Sequence, residues 1–138
     1  MRVFLDTNIL LDVIAQRDEF YESAARVWEM AEARKIQGLI SAISFNNVFY
    51  IVRRFAGRQR AAEAIRLTRQ VFDVVAVDGR IIDAAIGAGM KDFEDSVQYY
   101  CALRAKVRYL ITRNPQDFPS DGPVVVSPDE FLSLVALR

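Results

Sequence analysis

The chain has 138 residues, 52% of them hydrophobic, which suits one domain with a real core and excludes a disordered polymer. Eighteen Lys+Arg balance eighteen Asp+Glu, so whole-protein charge selects no class of partner and only local clustering can. There is one cysteine, Cys101, and no histidine, which excludes an internal disulfide, a Cys-His nucleophile, a Ser-His-Asp triad and a histidine-built zinc site.

The apolar run Val3-Phe4-Leu5 closes on Asp6 and continues through Thr7-Asn8 into Ile9-Leu10-Leu11. Residues 2–5 therefore read as a short buried strand ending in a carboxylate. Residues 7–15 follow as a helix, with Ile9, Leu10, Val13 and Ile14 at helical spacing. Phe20, Ala24, Val27, Trp28 and Ala31 form the stripe of a helix over about 19–34, with Gly38 expected to stop it before a strand at Leu39-Ile40. Ser41 or Ser44 caps a third helix reaching Ala56, and Gly57 punctuates it.

An amphipathic helix near 59–70 and a strand over 72–77 come next. Asp78 caps a helix over 79–88, which Gly87 and Gly89 end. A helix over 93–106, in which Cys101 reads as a packing residue, leads to a strand over 107–112. Val124-Val125-Val126 is the fifth strand. Ser127 caps a last helix with Pro128 in its first position and Asp129-Glu130 near its positive end. Short apolar strands alternating with helices imply a parallel sheet covered on both faces, an α/β chain in a single domain over 1–138. No apolar stretch approaches the roughly 20 residues that span a bilayer, and Asp6 and Asp12 break any leader-like segment, so a cytoplasmic protein is expected.

The acids are unevenly informative. Asp6 follows the first strand, and Asn114 and Asp117 follow the fourth, which puts both segments at one edge of a parallel sheet. Asp95 sits one turn into its helix and can face the same edge. Ligands collect at the carboxyl ends of strands in open α/β sheets. Three acids converging there repel one another unless a cation intervenes. An oxygen-only ligand set suits Mg²⁺ or Mn²⁺, which activates water and stabilises charge on a phosphate. Asp92 reads as the cap of the 93–106 helix, and Glu94 stays open between solvated face and site. Asp12, Asp18 and Glu19 read as solvated surface.

Three segments carry a resemblance over nearly the whole chain: Val3-Phe4-Leu5-Asp6-Thr7-Asn8-Ile9-Leu10-Leu11, Asp95-Ser96-Val97-Gln98-Tyr99-Tyr100-Cys101-Ala102, and Leu110-Ile111-Thr112-Arg113-Asn114-Pro115-Gln116-Asp117-Phe118. In this order and spacing they resemble the PIN domain family of metal-dependent nucleases. The resemblance implies a three-layer α/β/α sandwich with a short central parallel sheet. It implies a Mg²⁺- or Mn²⁺-dependent endoribonuclease acting on single-stranded RNA. Many relatives are VapC-like toxins that dimerise and are silenced by an antitoxin protein, so a homodimer and an antitoxin partner are implied too. By position Asp6, Asp95 and Asp117 inherit the catalytic metal-ligand role, with Thr7 or Asn8, Thr112 and Asn114 orienting ligands or the attacking water.

One departure stands out. The family carries a Glu early in the helix after the second strand, whereas Ser41-Ala42-Ile43-Ser44-Phe45-Asn46-Asn47-Val48-Phe49-Tyr50 has no acid. Asn47 stands in that place. It offers an oxygen without a charge, and Glu94 or Asp92 is left to compensate. The departure keeps open a second reading, a degenerate PIN domain that binds RNA or a protein without cutting.

Arg53, Arg54, Arg58, Arg60, Arg66 and Arg69 crowd into seventeen residues. They read either as a phosphate-binding patch, with Arg53, Arg54 and Arg58 as its RNA-binding members, or as a solvated helical face paired with acids such as Glu63. Tyr99, Tyr100, Phe49 and Tyr50 read first as packing residues and second as base-stacking ones.

Overall fold

Strand β1 (Arg2–Leu5) is flanked on both sides: Phe4 is in register with Leu39 of β2 (Gln37–Ser41) and with Leu110 of β4 (Tyr109–Ile111). The computed structural model describes residues 1–137. Within them β3 (Asp73–Val75) joins the far side of β2 and β5 (Val124–Val126) the far side of β4. The result is a five-stranded, all-parallel sheet in the order β3-β2-β1-β4-β5.

Helices α1 (Thr7–Ile14) and α2 (Tyr21–Glu32) link β1 to β2; α3 (Ala42–Ala56) and α4 (Arg58–Val71) link β2 to β3. Helices α5 (Gly79–Gly87) and α6 (Phe93–Ala105) return the chain to β4. A 3-10 turn, Pro115–Asp117, precedes β5, and α7 (Pro128–Ala136) ends the described fold. The period of two along each strand divides the core. Val3, Leu5, Ile40 and Ile111 face helices α1–α4 and α7, whereas Phe4, Leu39 and Leu110 face α5 and α6. This is the expected three-layer α/β/α sandwich, and among the described residues no helix is long and apolar enough to cross a membrane.

The helix starts follow the expected chemistry. Asp78 accepts from the amide of Ile81, Asp92 from that of Asp95, and Ser41, rather than Ser44, from that of Ile43. Ser127 and Glu130 form a reciprocal capping box. Cys101 is fully buried, a packing residue as expected.

Three expectations are corrected. Gly38 does not stop α2, which ends at Glu32; Gly38 lies inside β2, where an added Cβ would come within 2.6 Å of the Phe72 ring. Asp12 is not solvated surface but fully buried. Arg113 grips it with two donors, Nε at 3.2 Å and Nη2 alongside, and Arg17 approaches at 3.5 Å. A carboxylate tolerates that depth only because a guanidinium meets it. The apolar stretch 72–77 yields three paired residues instead of six, because β3 is an edge strand and its register with β2 closes at Ser41 and Val75.

Candidate active site

The connections leave β1 and β4 in opposite directions: from β1 over one face of the sheet towards β2, and into β4 from α5–α6 on the other. A crevice opens outside the carboxyl ends of adjacent strands where the winding reverses in this way. Asp6 and Thr112 are the first residues beyond those two ends.

Asp6 holds extended backbone, and its amide donates to Ile111 O at 3.0 Å, which extends the β1–β4 ladder by one bond. It occupies the N-cap position of α1, yet its carboxylate makes no capping hydrogen bond to the first turn. Instead Thr112 Oγ1 donates to Asp6 Oδ2 at 2.8 Å. The same Thr112 oxygen accepts the amide of Asn114 at 3.2 Å, so its proton is committed to Asp6. Thr112 is fully buried and Asp6 is 5% exposed. Burial raises the Asp6 pKa above the usual carboxylate range, against the pull of Thr112 and the neighbouring N–H groups of Asn8 and Thr7.

A second buried polar chain lies beneath. Gln98 Nε2 donates to Thr7 Oγ1 at 2.6 Å, and Thr7 Oγ1 lies 2.7 Å from Ser44 Oγ. Because Thr7 accepts from Gln98, its own proton is free for Ser44. The chain ties the starts of α1, α3 and α6 together directly under the crevice.

Above it a cleft of about 450 Å³ is lined by Asp6, Thr7, Asn8 and Leu11 from the β1–α1 turn, by Asn47, Tyr50, Ile51 and Arg54 from α3, and by Glu94 and Asp95 from α6. Asp95 is free of capping duty, because Asp92 supplies the cap to its amide at 2.9 Å. Half-burial pushes the Asp95 pKa up to about 7, and the charges of Asp6, Asp92, Asp117 and Glu94 push the same way. Glu94 is raised as well, by burial and then by Asp6 and Asp92. Asn47 Nδ2 donates to Glu94 Oε2 across the cleft.

Of the residues singled out by sequence, the fold therefore gathers Asp6, Thr7, Asn8, Asn47, Glu94, Asp95 and Arg54 around one cleft. Asp117 is exposed in the 3-10 turn and acts on Asp95 through its charge, not as part of the lining. Asn114 and Asp92 are exposed at the edge, and Thr112 works from below. Arg53 and Arg58 are exposed outside the lining. Among the described residues no three acids are drawn together tightly enough to cage an ion as they stand. No ion pair among them engages any arginine between 53 and 69, so the reading of that patch as paired with Glu63 gains no support. Tyr99 is buried with its hydroxyl on Asp121, a packing role, whereas Tyr50 is 59% exposed with Arg54 against its ring at 5.7 Å.

Sequence reading missed Gln98 and Ser44, the buried supports of Thr7. One signal was present: Gln98 stands three residues after Asp95, on the same helical face, in an otherwise apolar pattern.

The donor set fits a hard divalent cation. The Asn8 side-chain oxygen, at the wall of the cleft, is buried without a hydrogen-bond partner, and burial, then the neighbouring carboxylates, raises the proton affinity of Asp95 and Glu94.

Comparison with known proteins identifies the family. The family model described as PIN domain matches residues 2–116. The chain belongs to the PIN domain family. Ribonuclease VapC1 from Aquifex aeolicus (strain VF5) is 23% identical to this PIN domain over 135 residues, 94% of this chain and 92% of that one. Among solved structures, the toxin-antitoxin complex from Klebsiella pneumoniae superposes with a TM-score of 0.69 at 26% identity, over 91% of this chain and 97% of the other. DNA-bound VapBC from Salmonella typhimurium superposes with a TM-score of 0.72 at 15% identity, over 93% of this chain and 98% of the other.

Proposed function

We propose that this PIN domain is a divalent-metal-dependent endoribonuclease that hydrolyses phosphodiester bonds in single-stranded RNA, and that it is the toxin of a toxin–antitoxin pair. The observation that carries the reading is the convergence of Asp6 and Asp95, eighty-nine positions apart in sequence, on one cleft at the switch point of the sheet. The ribonuclease and toxin-antitoxin relatives support it.

Asp6, Asp95 and Asp117 would hold Mg²⁺ or Mn²⁺, with Asn8 offering its unpartnered oxygen. Such an ion supplies an activated water and neutralises charge on the phosphate. The protein's own contribution is placement. Thr112 and the Ile111 carbonyl fix Asp6, and the Gln98–Thr7–Ser44 chain fixes the floor. Asp95, raised by its half-burial and by the neighbouring acids, faces the cleft beside Asp6, where both would hold the ion. Arg54 is the arginine of the patch that reaches the cleft, where it meets a phosphate, and exposed Tyr50 offers a face for a base. Arg53 and Arg58 extend the strand's path along the outside of the α3–α4 pair.

An apolar groove of about 560 Å³ adjoins the cleft along α3, with Trp28, Phe55 and Leu67 in its wall. Phe55 and Leu67 are 58% and 46% exposed, an apolar surface of the kind that partners cover. We propose it as the surface an antitoxin would cover. Homodimerisation rests on likeness to the family, and light scattering tests it.

The decisive experiment incubates purified protein with single-stranded RNA and Mn²⁺. Wild type cleaves, EDTA stops it, and Asp6→Asn abolishes it; full cleavage by Asp6→Asn removes the assigned site. The acid-free start of α3 favours the second reading, binding without cutting. Retained RNA binding with no saturable Mn²⁺ uptake at millimolar concentration would establish it in place of the first.

A further inference from the structure

We propose that the carboxylate absent from α3 is supplied from across the cleft: Glu94 is an acidic group of the metal site, and Asn47 is the positioning residue that holds it there. The inference rests on the metal-site reading above and sharpens it. Helix α3 carries no Asp or Glu along its whole length. Its Asn47 occupies the place where an acid would face Asp6, and the amide reaches over forty-seven positions of sequence to Glu94. A carboxylate only accepts, so it is the Asn47 N–H that points at Glu94 and the bond has one sense. It engages Oε2 and leaves Oε1 to a ligand.

Both residues line the same cleft as Asp6 and Asp95, and Glu94 is close enough to Asp6 to feel its charge. A tether between α3 and α6 has no need of a carboxylate in that field. An amide, or a hydroxyl facing a carbonyl, would serve without the repulsion from Asp6, Asp92 and Asp95. An acid kept in such company is explained by a cation that all of them share. The geometry thus preserves the number of negative charges around the site while moving one from α3 to α6.

The test is calorimetric titration of Mn²⁺ into the metal-free full chain, with melting in EDTA as the check on folding. Glu94→Gln keeps the reach to Asn47 and removes the charge; it is expected to weaken Mn²⁺ binding at least about tenfold while melting no lower than wild type. Asn47→Ala leaves the charge unpositioned and weakens binding by a smaller factor, roughly threefold. The exchange variant Asn47→Glu/Glu94→Gln puts the acid back on α3 against an amide on α6 and recovers affinity to within roughly threefold of wild type. Wild-type Mn²⁺ affinity in both Glu94→Gln and Asn47→Ala, with affinity lost in Asp6→Asn, overturns the role of Glu94 and leaves the metal site standing. Wild-type affinity in Asp6→Asn removes the site itself.

Discussion

Thr112 donates its hydroxyl proton to Asp6 across 106 positions of sequence, at 2.8 Å, and the two residues are the first beyond the ends of neighbouring parallel strands. The bond turns a backbone register into a side-chain orientation. Thr112→Val keeps the shape and removes the donor, leaving a buried carboxylate short of a partner. It is expected to weaken Mn²⁺ binding by about tenfold and to lower stability by roughly 1–3 kcal/mol. Thr112→Ser keeps both near wild type. Calorimetry and chemical denaturation of the two variants check this; a valine variant that binds Mn²⁺ normally shows that Asp6 needs no such aim.

Metal-free protein is expected to lose stability as pH rises. The folded pKa of Asp95, about 7 against an ordinary 3.8, means that the native state holds this proton more tightly than the unfolded chain. No destabilisation comes from the group below its unfolded pKa, and the full cost is present once pH exceeds about 7. Glu94 and Asp6 are raised too and act in the same sense. The lowered pKa of Asp78 has the opposite sign, but its window lies below 3.8. With no histidine in the chain, the interval from pH 5 to 8 is otherwise nearly silent. Melting in EDTA should therefore fall steadily between those values in wild type and flatten in Asp95→Asn. A wild-type curve that is level or rises with pH contradicts the convergence of acids.

Asp12 and Arg113 form a long-range charge pair, with Arg113 also packed 4.2 Å from the Phe20 ring. The pair anchors the loop after β4 to the end of α1, beside the site but away from its cleft. Asp12→Ala strands the guanidinium and is expected to cost about 3 kcal/mol. Denaturant midpoints measure it. A loss under about 1 kcal/mol would mean that water replaces the carboxylate easily.

Arg54→Ala should raise KM for single-stranded RNA about tenfold and reduce the salt dependence of binding by roughly one charge, with Mn²⁺ affinity unchanged. Arg53→Ala and Arg58→Ala should each do less, since neither side chain lines the cleft. Fluorescence titration of labelled RNA at several salt concentrations separates them. Equal effects from all three would indicate a diffuse basic surface.

Gly38→Ala tests packing alone. The new Cβ meets the Phe72 ring edge-on to Trp28, and shifting that pair is expected to cost roughly 1–3 kcal/mol without altering Mn²⁺ binding.

Much of this could be read from residue order. An apolar triplet ending in Asp6, a capped helix opening on Asp92 and Asp95, and a β-rich run ending in Thr112 carry local signals that agree with the global fold. What stayed hidden depends on partners far away in sequence. Asp12 looks like surface because its guanidinium comes 101 positions later. Gly38 looks like a helix stop because the ring that needs its missing Cβ belongs to Phe72. Asp117 follows β4 as strand logic expects, and the 3-10 turn Pro115–Asp117 sets it outside the cleft lining yet near enough for its charge to act on Asp95. The bond between Asn47 and Glu94 had no sequence signal beyond the absence of an acid on α3.

The central strand β1 precedes by more than a hundred positions the strand β4 that completes its other flank, with Phe4 paired to Leu110. On the ribosome, Asp6 emerges early with one flank of its strand bare and nothing to aim its carboxylate. The site is thus assembled by a long-range pairing, complete only once β4 docks beside β1 and Thr112 meets Asp6.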